Sequence, residues 1–275
     1  MPCGAGLHGR GGGLVHLAPR RVANVPGVEQ DPLSAVGLVS YSDEERRTLS
    51  ILGTCTAFRQ PHVALTAAHI LQRVSNDRRV RIDYPRWGHM QPVTKIERHP
   101  DADIALLVSP PDGDDDLKGY PPGAFSNFVA NWGLGEEFMA YGFPVEGPSR
   151  SPGEQEPTPR LFLGHFQRFF EFDSPAGYHY VAGELNIPAP AGLSGGPLFR
   201  PGAPSLLTGI VTANIESYST LDWVEESSAD GTTRVEAHHA VIRYGLAVML
   251  SQLEEWLDAH VSHREGTAWR PGPTG

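Results

Sequence analysis

The stretch APAGLSGGPLF, residues 189–199, sets one serine, Ser194, among glycines and follows it with a proline and a Leu-Phe pair. A free serine is a poor nucleophile, useful only where a base accepts its proton and donors hold the oxyanion that forms. Glycine has a mechanical meaning here: without Cβ the backbone can take unusual dihedrals and turn its N–H groups toward an approaching carbonyl. On this reading the amides of Gly192 and Ser194 form the donor pair. The plain alternative is a glycine-rich turn between two strands, so the context of the serine has to decide.

Working outward, the chain has 275 residues, enough for a large core in one or two domains, and its 31 Gly and 25 Pro imply many turns. Short β-type runs recur between turn formers at Val36 to Tyr41, Leu49 to Phe58, Val63 to Thr66, Val80 to Tyr84 and Ile104 to Val108. A looser segment at 109–128 separates them from a second set that begins at 136–144. The expected organisation is a flexible segment over 1–32, a first β unit over 33–120, a second over 121–245, a helix over 246–260 and a tail over 261–275. The helix rests on Leu246, Met249, Leu250, Leu253, Trp256 and Leu257, spaced by threes and fours. The Pro-rich stretch 145–160 reads as an exposed loop.

Charge and composition exclude several function classes. The formal net charge is −10 and no block of Lys and Arg offers the clustered footprint that phosphate binding needs, so nucleic acid is not an expected partner. No run of about 18 apolar residues occurs, and no membrane partner or signal peptide is expected. Two cysteines, Cys3 and Cys55, make no disulfide framework, and the expected setting is cytoplasmic. The acidic run DGDDD at 112–116 lacks the spacing of a calcium loop. His99, His165, His179, His238 and His239 lack metal-ligand spacing, so neither metal nor cofactor is expected.

Two further stretches bear on Ser194. VALTAAHIL, 63–71, places His69 directly after a β-type run, and DADIALLVSP, 101–110, places Asp103 at the mouth of an apolar strand. Each alone is weak, since a lone His is usually structural and an Asp before a strand usually forms a turn. In the order T-A-A-H, D-I-A-L-L, G-x-S-G-G-P they resemble the trypsin/chymotrypsin superfamily of serine proteases. The similarity runs over roughly residues 35 to 260 and includes GTCTAF (53–58), MAYGFP (139–144) and LLTGIVTAN (206–214).

The resemblance implies an all-β protein of two antiparallel six-stranded β-barrels with a C-terminal α-helix. It implies an endopeptidase with a polypeptide substrate, working through an acyl-enzyme: Ser194 attacks, His69 moves the proton, Asp103 orients the imidazole, and Gly192 and Ser194 hold the oxyanion. Leu193 stands where zymogen-activated relatives carry Asp, so no obligatory pro-peptide cleavage is expected. Ile70 replaces a common cysteine. Pro188 occupies the position resembling the floor of the primary specificity pocket, with Thr212, Ala213 and Asn214 as its walls. A buried cation would lack a counter-charge there, which disfavours cleavage after Arg or Lys. The insertion 216–234 could reshape the pocket, with Asp222 or Glu225 as specificity groups.

Two competing functions share these residues. An α/β-hydrolase esterase would also use G-L-S-G-G, but needs the order Ser, acid, His on a parallel sheet. A catalytically silent binding module of the same fold would keep the cleft as an interaction surface. A regulatory protein partner is a further expectation.

Overall fold

A computed structural model describes residues 32–43, 48–72, 74, 79–85, 89–110, 127–128, 132–145, 158–227 and 233–261. The expected flexible N-terminal segment up to residue 31, the acidic run at 112–116, most of the Pro-rich loop and the tail beyond 261 lie outside the described residues.

The strands are β1 (Val36–Asp43), β2 (Thr48–Phe58), β3 (Gln60–Thr66), β4 (Val80–Tyr84), β5 (His89–Pro92), β6 (Lys95–Arg98) and β7 (Ala105–Val108) in the first half. The second half holds β8 (Asn127–Phe128), β9 (Glu137–Gly142), β10 (Arg160–Asp173), β11 (His179–Leu185), β12 (Pro197–Arg200), β13 (Ala203–Ser227) and β14 (Thr233–Met249). Alternation builds them: in β4, Val80, Ile82 and Tyr84 are buried while Arg81 and Asp83 between them are not.

Each half makes one sheet, in the orders β5-β4-β1-β2-β3-β7-β6 and β12-β9-β10-β11-β14-β13-β8. The seven-strand count differs from the expected six for a local reason. In the first sheet one bent segment serves both edges: β5 pairs with β4 and β6 with β7. The chain changes partner at the corner, where Val93 N–H donates to Val80 O at 3.0 Å and Thr94 N–H to Val108 O at 2.8 Å. Pro92, with no N–H to give, ends the first half of the bend. In the second sheet β12 also pairs with β13, closing six strands into a ring, and short β8 adds to β13 in parallel.

One sequence-based boundary shifts. Residues 246–249 belong to β14, because Val248 pairs with both Ala182 and Ile210 and the ladder takes them despite their helical spacing. A 3-10 turn over Leu250–Leu253 follows, and the α-helix, α1, spans only Glu254–His260. The insertion 216–234 is largely strand: β13 and β14 stay paired from Gly209↔Met249 out to Ser227↔Thr233. A nearly all-antiparallel chain with one seven-residue α-helix among its described residues has no doubly wound parallel sheet, which removes the esterase architecture.

The main apolar core draws on both sheets, joining Leu65, Leu106 and Leu107 of the first to Tyr180, Phe199 and Ile210 of the second. α1 is tied to the first sheet by buried Arg59, whose guanidinium meets Asp258 at 2.6 Å and donates to Val261 O at 3.0 Å.

Candidate active site

The β3–β7 register sets Thr66 opposite Ala105. The chain leaving β3 and the chain entering β7 therefore lie at one end of the ladder, and these carry His69 and Asp103. His69 sits in a 3-10 turn, Ala68–Leu71, and Asp103 in a bend just before β7. Asp103 is buried and spends both oxygens on the histidine: Oδ1 accepts the His69 backbone N–H at 2.8 Å and Oδ2 the ring Nδ1–H at 2.7 Å. With a carboxylate accepting, Nδ1 carries the proton and Nε2 is left as the base. The histidine side chain keeps 32% of its exposure.

Ser194 comes from the turn before β12 and is half-buried. Its carbonyl accepts the Thr54 N–H at 2.8 Å, and its Oγ donates to Thr212 O at 2.9 Å. Gly53 marks where the halves meet, since a Cβ there would lie 2.8 Å from the Ser194 carbonyl oxygen and 3.1 Å from Ile70 Cδ1, on the residue after His69. Among the described residues no hydrogen bond joins Ser194 to His69; the hydroxyl faces Thr212 O.

The loop around the serine is held peptide by peptide. Leu193 N–H donates to Pro190 O, Gly195 N–H to Val211 O and Gly196 N–H to Leu193 O, while Ala191 O accepts the Val145 N–H at 2.7 Å. That last bond fixes the trans peptide between Ala191 and Gly192, so the Gly192 N–H points the opposite way. Among the described residues the amides of Gly192 and Ser194 have no acceptor. Gly192 requires glycine, having φ +89°, and a Cβ would come within 2.9 Å of Val145 N.

Leu193 is fully buried beside Phe138, Phe166, Leu198 and Val211, plugging the second core directly under the serine. Threonines of β2 clamp the loop from the other sheet: Thr54 Oγ1 donates to Gly192 O at 2.7 Å and Thr56 Oγ1 to Gly195 O at 3.3 Å. Tyr180 OH meets Thr212 Oγ1 at 3.0 Å; burial, with the Asp103 charge, pushes its phenol up and keeps it neutral. Thr54, Thr56 and Tyr180 escaped the sequence reading; the two threonines two apart in GTCTAF were the available signal, sharing one face of a strand.

Of the pocket candidates, Thr212 is buried, Ala213 half-buried and Asn214 exposed, all on β13. Asn214 makes two hydrogen bonds to the backbone of Ala189, while Pro188 is exposed. Glu225 is exposed on the outer part of β13. No group of three or more His, Cys, Asp or Glu among the described residues is arranged to hold a metal ion, and no described helix is long and apolar enough to cross a membrane.

No protein-family model and no curated protein sequence matches the chain. Solved structures do. The active form of the Rv3671c protease from M. tuberculosis aligns with a TM-score of 0.54 at 15% identity, covering 95% of this chain and 96% of that one. The apo MamO protease domain from Magnetospirillum magneticum aligns at 0.54 and 13% identity, covering 82% and 97%. The HtrA-type protease AlgW with a tripeptide aligns at 0.54 and 18% identity, covering 84% of this chain but 61% of that one. These likenesses establish the fold, that of the trypsin-like serine proteases.

Proposed function

We propose that the protein is a serine endopeptidase in which His69, Asp103 and Ser194 form the catalytic triad. The observation that carries this reading is the double grip of Asp103 on His69 beside a serine whose loop presents two amides without acceptors. In this mechanism Ser194 Oγ rotates from Thr212 O toward His69 Nε2, gives up its proton and attacks the scissile carbonyl. The oxyanion is held by the N–H groups of Gly192 and Ser194, each oriented by a bond to the carbonyl of its own peptide, Val145 N–H to Ala191 O and Gly196 N–H to Leu193 O. His69 then protonates the leaving amine, water hydrolyses the acyl-enzyme, and Asp103 stabilises the imidazolium throughout.

The setting we propose is cytoplasmic, with a polypeptide substrate and a regulatory protein partner. Cys55, free and fully buried with its thiol pushed up by burial, acts as an apolar core residue.

Digestion of an unfolded protein such as reduced casein, followed by mass spectrometry, tests the reading. Wild type is expected to give discrete peptides and Ser194→Ala none. Equal fragmentation by both, or none by wild type, would favour the silent binding module.

A further inference from the structure

We propose that the cavity beside the turn of Asp103 receives one lysine or arginine side chain of a protein partner, its stem on an apolar floor and its charged head among carboxylates. The site lies apart from Ser194, and its occupation does not depend on the catalytic reading.

Three elements enclose the cavity, which measures about 230 Å³: the turn before β7, the start of β11, and the end of β14 with the 3-10 turn that follows it. Val248 and Leu253 are buried and, with half-buried Val181, give it an apolar floor. Asp101 and His179 are exposed and stand at its rim, with His99 half-buried between floor and rim. Pockets that enclose a whole small-molecule ligand begin at roughly 300 Å³. The smaller volume here suits a single side chain of a larger body that stays outside.

The rim is acidic. Asp101 is tied through its backbone, its N–H to His99 Nδ1 at 3.0 Å and its carbonyl to the His179 N–H at 2.8 Å. Among the described residues its carboxylate takes no hydrogen bond or ion pair. On β10, Glu171 lies opposite Val181 and Asp173 opposite His179. Cross-strand partners share a face, so these two carboxylates stand beside the side chains that line the cavity. Asp173 also bonds the His179 ring at 2.8 Å. His99 accepts two N–H groups at Nδ1, and in that form its ring is uncharged.

No Lys or Arg is among the described residues that line the cavity. Three carboxylates therefore face at most one imidazolium, and the surplus negative charge selects a cation. The apolar floor selects a cation carried on a hydrocarbon stem, since lysine and arginine lay their stems along apolar surface and keep the head in water. A net charge of −10 draws a basic partner toward the chain before contact.

The test titrates the isotope-labelled full chain, above the histidine range, with blocked pentapeptides that carry one central residue between glycines: lysine, arginine, norleucine or Nε-acetyl-lysine. Methyl shifts of Val181, Val248 and Leu253 report binding. Saturable shifts are expected with the lysine and arginine peptides and none with the other two. Affinity should fall about tenfold in Asp101→Asn, the scale of losing a charge-assisted hydrogen bond. It should be lost in Val181→Phe, which fills the floor and keeps every charge; Val181→Met serves if the phenylalanine variant does not fold. Absence of saturation with either basic peptide, equal binding of norleucine, or unchanged affinity in Asp101→Asn overturns the proposal. So does undiminished binding in the filled variant, the mark of diffuse attraction to an acidic chain. Free n-butylamine binding as tightly as the lysine peptide overturns the assignment to a protein side chain.

Discussion

Thr54, on β2 of the first sheet, donates its hydroxyl to the Gly192 carbonyl in the second at 2.7 Å while its own N–H holds the Ser194 carbonyl at 2.8 Å. The same hydroxyl accepts the Phe143 N–H at 3.1 Å, so one fully buried residue joins the two halves at the loop that carries the nucleophile. Thr54→Val keeps the shape and leaves the part-buried Gly192 carbonyl and the buried Phe143 amide without this partner. A stability loss of about 1–3 kcal/mol is expected in urea unfolding, with Thr54→Ser recovering most of it. Acylation of Ser194 should slow in the valine variant more than KM for a short substrate changes, because Thr54 acts through the loop. An unaltered acylation rate would show that the loop holds itself.

Leu193 anchors the loop of Ser194 by packing alone. It is fully buried in the second core, next to Ser194. Leu193→Ala is expected to cost about 2–5 kcal/mol, as buried leucine truncations do, whereas Leu193→Met should cost less than about 1.5 kcal/mol. Leu193→Asp places an unpaired carboxylate in the same cavity and should lose the folded state or the oxyanion geometry. Chemical denaturation of the three variants checks the order, and an aspartate variant as stable as wild type would contradict it.

His99 couples the turn of Asp103 to pH. Its Nδ1 accepts the N–H of Asp101 at 3.0 Å and of Ala102 at 2.8 Å, with the ring edge-on to Trp256, so only the form without a proton on Nδ1 holds the turn. Burial holds its pKa below the usual histidine value, Asp101 opposing and His260 assisting. The sign follows: in acid the unfolded chain, titrating near about 6.5, takes up a proton that the folded chain resists, so stability falls as pH drops through that value. His99→Asn retains an acceptor and removes the titration. Urea midpoints at about pH 7.5 and 5.5 should differ less in the variant than in wild type. His62, also held down by burial, is common to both proteins. Equal pH dependence would count against the latch.

The strand runs beside His69 and Asp103 and the glycine-flanked serine were legible because each depends on local residue type, a run of apolar strand residues, a turn former, glycines at a tight turn, whereas bringing the three together rested on the family resemblance. What binds the halves was not legible. Thr54 reaches 138 residues along the chain to Gly192, and nothing local to GTCTAF names that partner. The Asn214–Ala189 clasp is likewise visible only once β13 lies beside residues 187–192. Leu246 and Met249 carry helical spacing yet sit in β14, where ladder bonds to β11 and β13 outweigh a local preference. The insertion after Asn214 was hidden for the converse reason: its outer strands pair chiefly with each other, and their polar residues, Glu216 and Ser217 among them, lack the alternation that a buried face imposes.

Intact-mass measurement after fluorophosphonate treatment tests the triad most directly, on wild type, Ser194→Ala and His69→Ala. A single adduct mapping to Ser194 is expected in wild type, absent in Ser194→Ala and slowed by about 10³-fold or more in His69→Ala, the scale of losing the base from such a triad. An unlabelled wild type, or an adduct that persists without the Ser194 hydroxyl, would contradict it.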